Sequence, residues 1–192
     1  MEYKHLKNLV ELRQGRHFYG SPNEEVKKYF LIKSGNIKID IFSPRPPFSK
    51  IGVENALKLY HPREGDILLC HMGSHIGRVA LFHNMPLGDY ICNQTISIIR
   101  PVDINNLYLF AYLSSYIVRT YLTMSSRKIG VTTGKYISKE KILSLPILVP
   151  TQRMVDNVSK EVVAYISLQK KAFSVQDNIE AALVRAIANP NK

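Results

Sequence analysis

Gln152–Ala188 reads QRMVDNVSKEVVAYISLQKKAFSVQDNIEAALVRAIA, a run with no glycine and no proline. Within it Val155, Val158, Val162, Tyr165, Gln169, Ala172, Gln176, Ile179, Leu183 and Ala186 recur in alternating steps of three and four. That spacing is a narrow apolar stripe on a helix. At 1.5 Å per residue the helix would extend about 55 Å, longer than a small domain is wide. The expectation is one long C-terminal helix facing a partner helix, with Val155, Val158, Val162, Tyr165, Ile179 and Leu183 as its seam. Gln169 and Gln176 interrupt the stripe, which costs stability but can set register. The alternative is a terminal helix folded back on its own domain.

The texture changes at Leu145–Pro150 (LPILVP), which divides the chain into residues 1–150 and 151–192. Charge divides there too. The whole chain has 26 Lys+Arg and 15 Asp+Glu, a net charge of +11. Residues 151–192 hold six of the cations and four of the carboxylates, so +9 belongs to residues 1–150. An excess of this size favours a polyanionic partner, because each phosphate neutralised releases counterions. At 45% hydrophobic and 21% charged residues the composition is that of a folded globular protein, which excludes wholesale disorder and low-complexity architectures. No apolar stretch approaches the roughly 20 residues of a membrane span, and the N-terminus lacks a signal-peptide pattern. A cytoplasmic protein with no membrane partner is the expectation. The two cysteines, Cys70 and Cys92, then read as small buried hydrophobes.

Residues 1–150 alternate short strands with loops. Phe30–Phe42 has strand-like alternation and β-branched residues; Ser43–Phe48, with three prolines, is an extended loop carrying Arg45. Gly65–Gly73 (GDILLCHMG) reads as a buried strand, and Ile76–Asn84 as its hairpin partner through Gly73-Ser74-His75. Tyr90–Arg100 is a further apolar run ending before Pro101. Asn105–Thr123 predicts one helix, with Leu109, Tyr112, Leu113, Tyr116 and Ile117 on a single core-facing stripe. The fold class is therefore mixed α+β: short strands and helices around a twisted sheet, then the long helix.

Catalytic patterns fail one by one. There is no G-x-G-x-x-G turn, no P-loop and no Asn/Asp-Pro-Pro-Tyr/Phe tetrapeptide. Glu25-Val26-Lys27 has the form of a nuclease Glu-x-Lys without its upstream Pro-Asp partner. His71, His75 and His83 with Cys70 and Cys92 match no zinc spacing, and adjacent Cys70 and His71 point to opposite faces of a strand. Asp66 reads as turn chemistry at a strand start. No catalytic residue and no cofactor are expected.

Four segments, in order, resemble the DNA-specificity subunit of bacterial type I restriction-modification systems, as one target-recognition domain followed by one long helix. They are Leu9–Gly15 followed by Tyr29–Ile37; Gly65–Leu69 leading to Gly73–Val79; Asn93 and Pro101 preceding Tyr108–Ser115; and Gly130–Gly134 with Ile137 and Leu145–Gln152. The resemblance implies a non-catalytic subunit that reads a few base pairs of double-stranded DNA. Its long helix would pair antiparallel with a second one and dock DNA methyltransferase subunits, which carry S-adenosylmethionine; a separate restriction motor subunit cleaves. Family members usually hold two recognition domains and two helices. With one of each, this chain is expected to act as a half-subunit that dimerises to read a split target, unless it is a truncation or a fragment. The alternative from another class is an RNA-binding or regulatory module using the same basic surface, although the chain lacks an aromatic-rich stacking signature and has no Trp.

Loop residues are the candidates for DNA contact, since strands and helix serve the core. They are Arg45 and Lys50 in and beside the proline-rich loop; Ser74, His75 and Arg78 in the hairpin; and Arg127, Lys128, Thr132, Thr133, Lys135 and Tyr136 around the glycine-flanked loop. Forked guanidinium groups suit base edges, so Arg45 and Arg127 are expected to read bases while Lys50, Lys128 and Lys135 neutralise phosphates.

Overall fold

The computed structural model describes residues 2–19, 27–37, 49–53, 58–128 and 134–188. Its centre is a four-stranded antiparallel sheet in the order β2 (Val10–Gln14), β8 (Ile96–Pro101), β5 (Ile67–Cys70), β6 (Val79–Leu81). A second sheet places β3 (Lys28–Ile32) between antiparallel β4 (Ser49–Gly52) and parallel β7 (Tyr90–Cys92). Two ribbons hold the other strands among the described residues. In one, β1 (Tyr3–His5) pairs with β11 (Pro146–Leu148); in the other, β9 (Arg127–Lys128) pairs with β10 (Lys135–Tyr136). The helices are α1 (Asn106–Ser114), α2 (Tyr116–Met124), α3 (Lys139–Leu143) and α4 (Gln152–Ala188). The class is α+β as expected, with two main sheets in place of one.

β5 explains the arrangement. Successive strand residues face opposite ways. Ile67 and Leu69 enter one core with Leu12, Leu81 and Ile99; Leu68 and Cys70 enter another with Ala80, Phe82, Ile96 and Ile98. A strand covered on both faces needs a continuous apolar run, and Ile67–Cys70 supplies it. Helices α1 and α2 cover the first face, and Ile32, Ile37 and Cys92 cover the second. Burial pushes the Cys70 thiol up to about 12 and the Cys92 thiol well above its ordinary value, which fits both as packing groups and not as nucleophiles.

Three expectations need correction. The strand at Phe30 ends at Ile32, and Ser34–Asn36 forms a single 3-10 turn, because the Asn36 side chain accepts from the Lys33 N–H and closes it. Residues 38–48, including Arg45, lie outside the described residues. Tyr90–Arg100 is two strands in two sheets. The Asn93 side chain accepts from the Thr95 N–H (3.1 Å) and hydroxyl (2.6 Å), making a turn between β7 and β8. Asn105–Thr123 is two helices. Ser115 takes extended backbone angles and its hydroxyl accepts from the Val118 N–H, so it ends α1 and caps α2. The break turns Tyr116 and Ile117 outward, 74% and 80% exposed. Tyr108 and Tyr112 remain structural, their hydroxyls donating to the Leu148 and Pro146 carbonyls at 3.0 Å.

The first half of α4 packs on α1: Val162 and Ile166 are buried in this chain's own core, with Val158, Tyr165 and Phe173 packed against it. At Val162, therefore, the seam expected for a partner helix is filled from within the chain. Farther along, Val175, Ile179, Leu183, Val184 and Ile187 are exposed.

His71 is buried beside Ser97, whose hydroxyl shares a 2.9 Å hydrogen bond with Nδ1. Desolvation pushes its pKa down to about 4. The unfolded chain binds a proton first, near pH 6.5, so this contribution is complete above that pH and is lost as pH falls toward 4. The expected loss is about 3 kcal/mol across that window. Urea unfolding between pH 7 and 4 checks it: H71Q, which keeps a hydrogen-bonding amide, should show a shallower decline than the parent chain.

Candidate nucleic-acid interface

Sheet register brings distant loops to one end of the molecule. Gln14 lies across from Ser97, Ile96 across from Cys70, and Leu69 across from Val79. Residues 15–19 after β2, the 93–95 turn before β8 and the 71–78 loop between β5 and β6 therefore emerge together. Gly15 permits the first approach: a Cβ there would sit 2.0 Å from the Asn93 carbonyl oxygen. Gly77, at φ +81°, permits the second by resting the hairpin on Arg119 and Thr123 of α2.

The β9–β10 ribbon is then tied to the hairpin. The Gly73 N–H donates to the Lys135 carbonyl (2.9 Å), the Ile137 N–H donates to the His71 carbonyl (2.8 Å), and Met72 bridges Tyr136. Arg127 lies across from Tyr136 and Lys128 across from Lys135. Directly opposed residues share a face, so the Lys128 and Lys135 ammonium groups lie on one side of the ribbon, where like charges repel. An anion placed between them would turn that repulsion into attraction.

Charge is segregated along the sheet. The basic end holds Arg16, Lys33, Arg78, Arg127, Lys128 and Lys135, and its segments 15–19, 33–37, 71–78, 93–95, 127–128 and 134–138 contain no Asp or Glu. None of these six cations forms an ion pair among the described residues. At the other end lie Glu64, Asp66, Asp89 and Asp103, where Lys27 pairs with Asp89 (3.0 Å) and Arg100 grips Asp66. Beside the ribbon, Ser125, Arg127, Ser138 and Lys141 line a cleft of about 190 Å³. Lys141 donates to the Tyr121 hydroxyl at 2.7 Å and lies over that ring, which holds its ammonium in place.

Of the residues singled out from sequence, Ser74, His75, Arg78, Arg127, Lys128, Lys135 and Tyr136 thus meet at this end. Lys50 does not join the ribbon; it sits on β4 across from Phe30, its ammonium 5.1 Å from the Phe30 ring centre. Thr132 and Thr133, like Arg45, lie outside the described residues. Sequence reasoning misses Arg16, His17, Lys33, Gln94 and Lys141. Only Gly15 marks their neighbourhood, since a glycine closing a strand signals close backbone approach. Asp66, by contrast, is structural: 2% exposed, it accepts from Arg100 Nε (2.9 Å) and Nη2 (2.6 Å) and from the Arg63 N–H (2.7 Å). Among the described residues no group of three or more His, Cys, Asp or Glu could hold a metal ion, and no helix is long and apolar enough to cross a membrane.

A family model described as the type I restriction modification DNA specificity domain matches residues 1–189. The chain belongs to that family. This specificity domain also has the fold of solved relatives. It is similar to the type I restriction-modification S subunit of M. genitalium (TM-score 0.62, 15% identity), covering 93% of this chain and 42% of that one. The HsdS subunit of Thermoanaerobacter tengcongensis matches at TM-score 0.54 and 15% identity, over 96% and 44% of the two chains. The type IIG restriction endonuclease BpuSI matches at 0.53 and 12% identity, over 83% and 26%. The specificity domain therefore spans less than half the length of the S subunits it resembles. No curated protein matches its sequence.

Proposed function

We propose that this chain is the non-catalytic sequence-recognition part of a type I restriction-modification complex and that its basic sheet end grips duplex DNA. The observation that carries the reading is the gathering of six cations at one end of the sheet, none of them in an ion pair among the described residues, with Glu140 at the cleft's edge hydrogen-bonded to Ser138. Lys128 and Lys135 suit two neighbouring phosphates. Arg127 shares its cleft with Lys141 and two hydroxyls, a set that suits phosphate oxygens better than a base edge. The residues at loop tips are left to face bases, whereas the Arg78 guanidinium donates to the Ile37 carbonyl at 3.4 Å.

The exposed apolar residues in the distal half of α4, Val175, Ile179 and Leu183 among them, support a helix partner. That partner is a second copy of this chain, giving a two-fold symmetric reader of a split target. DNA methyltransferase subunits carrying S-adenosylmethionine would dock on the paired helices, and the motor subunit would join them. The protein acts in the cytoplasm, where DNA is met.

Fluorescence anisotropy against random duplex DNA and matched single-stranded RNA across a salt series tests the reading. Duplex is preferred, and log K falls steeply with log salt, by about 0.9 per phosphate neutralised. Preference for RNA would overturn the assignment and support the RNA-binding alternative.

A further inference from the structure

The 93–96 turn at the basic end is firmly built. The Ile96 N–H donates back to the Asn93 carbonyl (3.1 Å), and the Asn93 carboxamide takes two bonds from Thr95. Asn93 is bridged to Arg16, and the His71 N–H donates to the Thr95 carbonyl (3.0 Å), fixing the turn to the hairpin that carries the basic ribbon. Gln94 stands at its tip. His17 Nδ1 lies 3.0 Å from Gln94 Oε1, and the His17 ring is itself braced edge-on against Tyr19, with ring centres 4.5 Å apart.

A carboxamide held this way is matched to one ligand chemistry. With Nδ1 protonated, His17 occupies one lone pair of Oε1 and prevents the amide from flipping. The second lone pair and the Nε2 donors have no partner among the described residues. An acceptor and a donor side by side on a fixed amide complement the N6 amino group and N7 of adenine in the major groove. A solvated surface glutamine needs neither a double-locked turn nor an imidazole brace.

We infer that Gln94 reads an adenine of the target directly and that His17 is its positioning residue. The inference rests on the duplex-DNA reading above. Lys128, Lys135 and the Arg127 cleft hold the backbone on the same end of the sheet, so phosphate grip and base readout come from neighbouring loops.

The test is selection from duplexes with a randomised centre, the bound fraction being sequenced for the parent chain and each variant. The parent chain enriches a motif containing a preferred adenine. Q94A loses that preference by about tenfold to a hundredfold, while the other positions of the motif keep theirs. Q94E moves the preference at that position toward cytosine, whose N4 amino group donates to a carboxylate. H17A weakens the same position, and H17N, which retains an N–H donor, restores part of it; a merely structural His17 would affect all positions alike. Thermal melting confirms that the variants fold, as expected where the Gln94 side chain bonds only to His17 among the described residues. An unchanged motif in Q94A overturns the inference and leaves duplex binding standing. A parent chain that binds duplex but enriches no motif overturns sequence recognition, and this inference with it.

Discussion

Replacing Arg127, Lys128 and Lys135 together by serine lowers duplex affinity by roughly 10²-fold to 10³-fold at 0.1 M salt and flattens the salt dependence. Each phosphate neutralised contributes about 0.9 to the slope of log K against log salt, which at 0.1 M is roughly eightfold in affinity. Removing all three cations multiplies to several hundredfold, and the slope falls by about 2.7. The three side chains are at or near the surface and hold no carboxylate partner among the described residues, so their removal leaves the fold intact and relieves the Lys128–Lys135 repulsion. Surface substitutions of this kind stay within about 0.5 kcal/mol per site. Anisotropy titrations at several salt concentrations, run beside thermal melts, separate weakened phosphate binding from unfolding. A variant with unchanged slope would place the phosphates elsewhere.

The second large effect is on stability. D66A leaves the Arg100 guanidinium without its bidentate carboxylate, in a site where the Arg100 side chain is only 15% exposed. Breaking such a pair from one side costs about 3–5 kcal/mol; the remaining exposure of Arg100 argues for the lower figure. The turn before β5 also loses the bond from the Arg63 N–H. Against a domain stability of about 5–15 kcal/mol, the loss is a large share. Urea midpoints check it, with the double variant D66A/R100M recovering part of the loss because no unpaired charge stays buried. Equal destabilisation in single and double variants would mean that packing, not charge pairing, dominates at Asp66.

The same contrast between local and long-range forces explains what can be read in the sequence. Ile67–Cys70 announces a strand buried on both faces because four consecutive apolar residues admit little else between Gly65 and Gly73. The glycine- and proline-free run from Gln152 announces the long helix. Ser115 is harder: a serine inside an apolar periodic segment is locally compatible with a helix, and the break follows from its capping of Val118. The Asn93–Thr95 turn is hidden in a β-branched run although asparagine and threonine are its natural residues. Heptad spacing in α4 does not say which partner lies opposite. Val162 meets the chain's own core, whereas Ile179 and Leu183 are exposed, and three-residue and four-residue steps look alike in both settings.

The basic character of residues 1–150 is legible from composition, and the hairpin and the Arg127–Tyr136 region are reached by loop reasoning. Their convergence is not. Residues 15–19, 71–78, 93–95, 127–128 and 134–136 become neighbours only through the register of β2, β8, β5 and β6 and through the bonds that tie Lys135 to Gly73. Gln94 and His17 are 77 positions apart and carry no motif. A linear pattern holds no trace of a pair whose meaning comes from a shared sheet end.

The basic end of the sheet, with Arg16, Lys33, Arg78, Arg127, Lys128 and Lys135, is the DNA-binding face on this reading. Hydrogen–deuterium exchange with and without duplex DNA tests it most directly. Protection should appear in residues 15–19, 72–78, 93–95, 127–128 and 134–138, with Glu64, Asp89 and the distal half of α4 exchanging as before. Protection at the Glu64–Asp103 end, or along α4 alone, would contradict it.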